Sequence, residues 1–415
     1  MVYDVVIVGA GASGLCAAYQ IAKKKSNCHI LILEKASIAG RKLSAAGNGK
    51  CNLTNTLFGN EHYYSQDDAC IKQWCDSHSY QMILDFFETM GVLLYEKDGY
   101  YYPLSNQAKQ VTEYLVAMNE RFGVEIQYET SVSSISLKQN HYIVYACKNE
   151  NKISFQASKV ILATGGLAAP QLGGTKDGYR LAKEIGIKTS AIFPALTPAF
   201  VEDSYLKIAK GVRLDAVISL RGQDGIIKKE RGQLQINDDS LSGIAMMNMS
   251  CLFNKYPQAD RKDCIMIDVV PEYTWNRLKT FMDEQRNIQN RQTIIHLLSG
   301  ILPTKFNKYL LKRLNIKEDE LLENITEKQC NRMVSALKKL TFTPIVFEDY
   351  KRAQVTNGGV LLSEIDLSSF ECNQYQGVYV VGELLDVTGE CGGYNLSFAV
   401  LSGICAGNHI ADSLT

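Results

Sequence analysis

The chain has 415 residues, and its 44 basic and 44 acidic side chains cancel, leaving no bulk field to draw nucleic acid or an anionic membrane. Hydrophobic residues at 46% and charged residues at 21% lie near the globular norm, which excludes wholesale disorder, a collagen-like chain and a long coiled coil. The length corresponds to about two or three domains, and the 12 cysteines, scattered without a C-x-x-C, point to reduced thiols in a cytoplasm rather than a disulfide framework.

In chain order, Val5 to Val8 is a continuous apolar run, as in a strand covered on both faces of a parallel sheet. It begins so early that no signal peptide is expected. A glycine-rich turn follows, then Leu15, Ala18, Ile21 and Ala22 at helical spacing. Lys23, Lys24 and Lys25 close that helix with cations suited to its C-terminus. Ile30 to Leu33 makes a second buried strand.

Residues 67–122 read as mostly helical, interrupted by an extended Gly99-Tyr100-Tyr101-Tyr102-Pro103 patch. Strand signals follow at Val124–Tyr128, Val132–Leu137, His141–Cys147 and Val160–Ala163. Between 189 and 270 the β-prone runs are scattered, and from 271 to 340 the pattern is helical. After 341 the chain regains its opening texture, with Val378 to Glu383, Gly392-Gly393 and a helix to about Ile410. The expectation is one domain built from 1–188 and 341–415 around an insertion at 189–340, β-rich first (189–270) and helical second (271–340). The apolar stretch from Gly392 to Ala411 carries Asn395, Asn408, His409 and interior glycines, which disfavours a membrane span.

Gly9-Ala10-Gly11-Ala12-Ser13-Gly14 is G-x-G-x-x-G placed between a strand and a helix. Gly9 permits the tight turn, Gly11 lets backbone approach a pyrophosphate, and Gly14 lets the helix pack closely on the strand. Phosphate then meets free N–H groups at a helix N-terminus. Glu34, twenty residues after Gly14, stands where a carboxylate accepts from ribose hydroxyls. A bound dinucleotide is the inference, and these residues leave NAD and FAD both open. Three further features favour FAD: a buried strand ending in Ala163-Thr164-Gly165, a late strand ending in Gly382-Glu383, and cations at Arg41-Lys42.

The segments Gly40 to Ser44, Gly47 to Asn55, Thr175 to Ala182, Thr356 to Val360 and Gly382 to Leu396 resemble, in order and over nearly the whole chain, the bacterial YhiN/BaiN-type flavoproteins, NAD(P)/FAD-dependent oxidoreductases. The resemblance implies an α/β fold: a Rossmann-like FAD-binding domain of the two-dinucleotide-binding-domain type, interrupted by a β-barrel-like and helical insertion. Carried over by position, it implicates Ser13, Glu34, Lys35, Arg41, Lys42, the backbone of Val132, Glu383, Asn395 and Leu396 as contacts to non-covalent FAD. The insertion departs from the family pattern: Gly232-Gln233-Leu234-Gln235-Ile236-Asn237 and Leu241-Ser242-Gly243-Ile244 lack the usual Phe-Thr and Pro.

No second G-x-G-x-x-G follows a strand, so NADH or NADPH is expected as a transient reductant over the flavin, which carries the redox chemistry. The uncapped start of the last helix would favour negative charge on the reduced ring. Relatives imply hydride transfer through flavin N5 to an enone or similar activated C=C bond of a small molecule, as in bile-acid intermediates. The alternatives are an oxidase or dehydrogenase acting on an amine or alcohol, and a flavin-bearing binding or RNA-modifying protein. Neutral charge argues against a nucleic-acid partner, histidine spacing supports no metal site, and Cys51 and Cys391 read as packing residues rather than a redox pair. No general acid or base is assigned from sequence.

Overall fold

The computed structural model describes residues 2–138, 141–253, 262–288, 291–345 and 349–414. The chain divides into two compact units, one of residues 1–195 with 349–415 and one of residues 196–348. The first unit is organised on a sheet whose order is Glu371–Cys372, Tyr375–Val380, Asn151–Leu162, Val2–Val8, Ile30–Leu33, Glu125–Gln127. Inner pairings are parallel: Val6 lies opposite both Val160 and Leu31, and Ile161 opposite Tyr379. Val5, Val6, Ile7, Leu31, Ile32, Val160 and Ile161 are fully buried. Continuous apolar runs, rather than alternation, are what a sheet covered on both faces requires.

Strands Thr130–Lys138 and His141–Lys148 form an antiparallel meander that joins Asn151–Leu162. The tyrosine patch is the second arm of a hairpin, Leu94–Lys97 with Tyr100–Pro103, turned at Gly99. Tyr101 of that arm stacks on Tyr80 with centroids 5.7 Å apart.

Helix Ala12–Lys24 packs along the last helix, Tyr394–Ser413. The contact depends on two glycines of the last helix. A Cβ on Gly403 would lie 2.3 Å from the Ser13 carbonyl oxygen, and one on Gly407 would lie 2.8 Å from that of Ala17. Further along, Gln20 donates to Asn408 at 2.7 Å and Lys24 pairs with Asp412. The pairs 13 with 403, 17 with 407 and 24 with 412 advance together, so the helices run parallel and start on the same side.

In the second unit the strands run Ala199–Phe200, Ser240–Ser242, Gly225–Ile236, Arg213–Gly222, Ile265–Asp268, Leu340–Phe342, all antiparallel. The two edges meet through a bridge between Val201 and Pro344 and a 2.9 Å bond from Ile345 N–H to the Phe200 carbonyl. This gives the expected barrel-like closure. A short helix, Ile244–Ser250, interrupts the β-rich part and buries Met246 and Met249. Helices Trp275–Asn287, Ile294–Ser299, Thr304–Leu314 and Glu327–Lys338 complete the unit. Among the described residues, no helix is long and apolar enough to cross a membrane.

Candidate functional site

The three glycines of the opening turn occupy three different environments. Gly9 has φ +106°, and a Cβ there would stand 2.5 Å from the Ala163 carbonyl oxygen. A Cβ on Gly14 would stand 2.2 Å from the Gly9 carbonyl and press on Ile7 and Ala163, so close packing of helix on strand requires glycine there. Gly11 differs: its nearest neighbour would be 3.9 Å away, and as N-cap of the first helix it offers no side-chain cap. The first helix therefore starts with room beside Gly11 and with no side chain on its first-turn N–H groups, the geometry an anionic diphosphate needs.

Glu34, at the end of the second strand, accepts from Ala10 N–H and Ala36 N–H, each at 2.8 Å. These bonds hold the carboxylate beside the turn, and its remaining lone pairs can take ribose hydroxyls. The cations near it are engaged. Lys35 pairs with Asp177 at 2.8 Å, Arg41 donates to the Gln171 carbonyl at 2.7 Å, and Lys42 pairs with Glu383 at 2.5 Å. For Asp177, burial works against ionisation, but the bonds from Lys35 and Thr175 outweigh it and hold the carboxyl below its usual range.

Glu383 also accepts from Thr356 N–H at 2.9 Å, while Thr356 Oγ1 accepts from Leu167 N–H and Ala168 N–H. Thr356 thus ties the loop after the Thr164-Gly165 turn to the Gly382-Glu383 turn. It lies in a glycine-bordered motif of the sequence but carried no assigned role there. Gly165 has φ +70° and nothing within 4 Å of a Cβ, whereas Gly382, φ +72°, packs on Ser13 with 2.6 Å from its Cβ position to Oγ. Ser13 is buried in this contact rather than pointing out of the turn. Val132 is buried in the meander, and its carbonyl faces Arg180 Nη2 at 3.4 Å.

At the last helix, Gly392 and Gly393 have φ +131° and +95°, and the helix starts without a side-chain cap. Asn395 turns its carboxamide back onto its own loop, accepting from Gly389 N–H at 2.8 Å and donating to the Gly389 carbonyl at 2.7 Å. Its side chain is therefore spent on holding the loop; Gly389 lies against its backbone nitrogen, and no side chain caps the first turn to which it and Leu396 belong. The buried Oδ1 of Asn52 has no partner and lies 3.0 Å from a Cβ position on Gly393.

Gly403 stands level with Ser13, the second residue of the first helix, and eight residues beyond Asn395, the second residue of the last. At 1.5 Å per residue, the two uncapped N-termini open in one direction with a stagger of about 12 Å. An extended dinucleotide needs that arrangement: one helix start for the diphosphate and another, further out, for a ring that takes up negative charge. The residues present fit FAD.

Beside the last helix start, Glu390 accepts from Tyr64 O–H at 2.6 Å and from His62 Nδ1 at 3.0 Å. The His62 ring stacks on Tyr394 with centroids 4.6 Å apart. Metal-ligand spacing along the sequence passes over this pair, whose members lie 328 positions apart. Cys51 is fully buried and its thiol is pushed up to about 12 by burial, which removes it as a thiolate.

The HI0933-like protein Rossmann domain family matches residues 3–409. The chain belongs to this family of FAD-dependent oxidoreductases. It is 31% identical over 407 residues, 98% of each chain, to the 3-dehydro-bile acid delta(4,6)-reductase of Clostridium scindens. It is 30% identical, over 95% of each chain, to the ribosomal RNA dihydrouridine synthase of Haemophilus influenzae. Among solved structures, the 3-ketosteroid delta1-dehydrogenase of Sterolibacterium denitrificans covers all of both chains at 12% identity with a TM-score of 0.55, a likeness of fold.

Proposed function

We propose that this protein is an NAD(P)H-driven reductase that adds hydride to a C=C bond conjugated with a carbonyl. The observation that carries the reading is the pair of parallel, uncapped helix starts staggered by about 12 Å, with Glu34 beside one and the His62–Glu390 pair beside the other. FAD, when bound, supplies a hydride donor once reduced by the nicotinamide. The first-turn N–H groups at Gly11 to Gly14 bind the diphosphate, and Glu34 orients the ribose. Glu383, fixed by Lys42 and Thr356, braces the turn over Ser13. The last-helix N–H groups favour negative charge, and His62 with Glu390 holds the proton that an enone carbon needs after hydride addition.

The named activities of the two relatives share this chemistry. An unsaturated 3-oxo bile acid and a uracil ring each present a C=C bond conjugated to a carbonyl. A small enone is the first substrate class. The second is uridine in RNA, and the charge of the 196–348 unit favours it: 23 basic against 19 acidic residues, with 21 against 25 in the remainder. The zero net charge hides this division.

The test is anaerobic mixing of the FAD-loaded protein with NADH and with NADPH, followed by an unsaturated 3-oxo bile acid or uridine-containing ribosomal RNA. Bleaching of the visible flavin band and its return with either acceptor are expected. No bleaching by either nicotinamide, with peroxide formed from an amine or alcohol, would replace the reductase reading by an oxidase.

A further inference from the structure

We propose that the helical part of the 196–348 unit carries an RNA-docking groove, built from Lys328, Arg332 and Lys339. The inference rests on the uridine reading of the substrate and adds to it a surface that grips the phosphate backbone. Residues 300–317 hold five cations, Lys305, Lys308, Lys312, Arg313 and Lys317, and no carboxylate. In helix Thr304–Leu314 the apolar face of Phe306, Tyr309, Leu310 and Leu311 is buried, leaving Lys305, Lys308 and Lys312 exposed. Arg313 is neutralised within the unit by Asp203 at 3.2 Å, and Lys308 reaches Glu318 at 3.1 Å. Lys312 lies over the exposed ring of Tyr205.

The neighbouring helix, Glu327–Lys338, is tied to the end of the first by Arg332, which donates to the Leu314 carbonyl at 3.1 Å. It buries Cys330, Met333, Val334 and Leu337 and lines an open groove with its other side. Lys328, Arg332 and Lys339 are separated by four and seven residues. At 3.6 residues per turn Lys328 and Arg332 fall within about 40° of each other, and Lys339 follows as the residue that ends the helix. Ser335 and Ala336 form its low floor, and Glu327 is the only carboxylate among the lining residues. Its place in the first helical turn gives that charge another use, against the helix dipole. Lys328 and Lys339 have no ion-pair partner among the described residues.

Cations along one open helix face, with the small side chains of Ser335 and Ala336 between them, complement a strand of phosphates. A lipid surface is the lesser fit. Helix Glu327–Lys338 exposes no large apolar side chain, and a helix lying in a membrane interface needs such residues on one face.

The experiment uses the full-length FAD-loaded protein and a short, fluorescently labelled, uridine-rich single-stranded RNA, titrated between about 50 and 200 mM KCl. Wild type should bind with steep salt dependence. The triple variant K328E/R332E/K339E, and the milder K328Q/R332Q/K339Q should the first misfold, should lose about tenfold or more in affinity. For the milder variant the log–log salt slope should flatten by about 2, at roughly 0.7 per lost contact. FAD content and bleaching by nicotinamide should be unchanged in both. No RNA binding by wild type, or equal binding by the glutamine variant, overturns the groove. Binding to phosphatidylserine vesicles, with no binding to RNA, would mark a membrane face instead and also overturn it. RNA binding that depends on these residues without any dihydrouridine formed would leave the groove standing and remove the uridine reading. Dihydrouridine formed equally fast by the glutamine variant at subsaturating RNA would do the reverse.

Discussion

Replacing Gly11 with Ala separates the cradle's role in binding from its role in folding. Gly11 has φ −81° and ψ −174°, values open to any residue, and its Cβ would meet nothing nearer than 3.9 Å. As an N-cap, Ala is worse than Gly by roughly 0.5–1 kcal/mol. The smaller unfolded-state entropy of Ala returns about 0.4–1 kcal/mol, so apo stability should stay within about 0.5 kcal/mol of wild type. The methyl group would nevertheless stand where a diphosphate oxygen meets the backbone. Losing two hydrogen bonds to a charged group, at roughly 1.5 kcal/mol each, costs about 3 kcal/mol, a little over 100-fold in FAD affinity. Gly14→Ala is the counterpart, because its Cβ would lie 2.2 Å from the Gly9 carbonyl. Helix and strand must separate, at a cost of about 1–3 kcal/mol or more in the apo protein. Urea unfolding of both apo variants, with FAD titration by fluorescence quenching, tests the pair; apo protein is required because bound ligand raises apparent stability. Undiminished FAD affinity in Gly11→Ala would refute the diphosphate cradle, and an unchanged apo midpoint in Gly14→Ala would refute the packing argument.

Four other expectations follow from the same geometry. Glu383→Ala strips Lys42 and Thr356 N–H of their acceptor in a half-buried setting and should cost about 1–2 kcal/mol in urea unfolding, with weaker FAD retention on dialysis. Cys51 should resist iodoacetamide at pH 8 in the native protein, its thiol being raised to about 12 by burial, and react only after unfolding, as mass spectrometry would show. Asp177 has a carboxyl pKa below its unfolded value, so its contribution is complete above about pH 4 and is lost as pH falls through the folded value; the Tm difference between wild type and Asp177→Asn should therefore close in acid. His62→Gln should leave nicotinamide bleaching of the flavin intact and slow reoxidation by the acceptor about 100-fold, shifting its pH profile, and equal slowing of both steps would argue against a proton-holding role.

What was legible in the sequence was local. The strand Val2–Val8, the turn Gly9–Gly14, the helix Ala12–Lys24 and Glu34 lie within one short stretch. There the fold is dictated by covalent spacing, glycine's dihedral freedom and an unbroken apolar run, all of which can be read without knowing what packs on top. The late Gly382-Glu383 turn and the Gly392-Gly393 helix start were visible as motifs for the same reason. Their partners were not. The sequence suggested Arg41 and Lys42 as diphosphate cations; it could not show that one donates to the Gln171 carbonyl and the other pairs with Glu383, 341 positions away.

Spacing along the chain cannot reveal which distant turns a sheet of this order brings together, or that His62 meets Glu390 across 328 positions. It also cannot set the stagger of the two helix starts, which follows from Gly403 and Gly407 letting one backbone rest on another. Close packing is a property of surfaces in contact, and those surfaces exist only once the chain has folded. Composition decided that this is a globular, charge-balanced chain and the opening residues decided that it builds the strand, glycine turn and helix of a dinucleotide-binding pattern. Tertiary structure decided how long that cradle is, which acids and bases stand at its far end, and how a chain of zero net charge keeps its excess of cations in one unit.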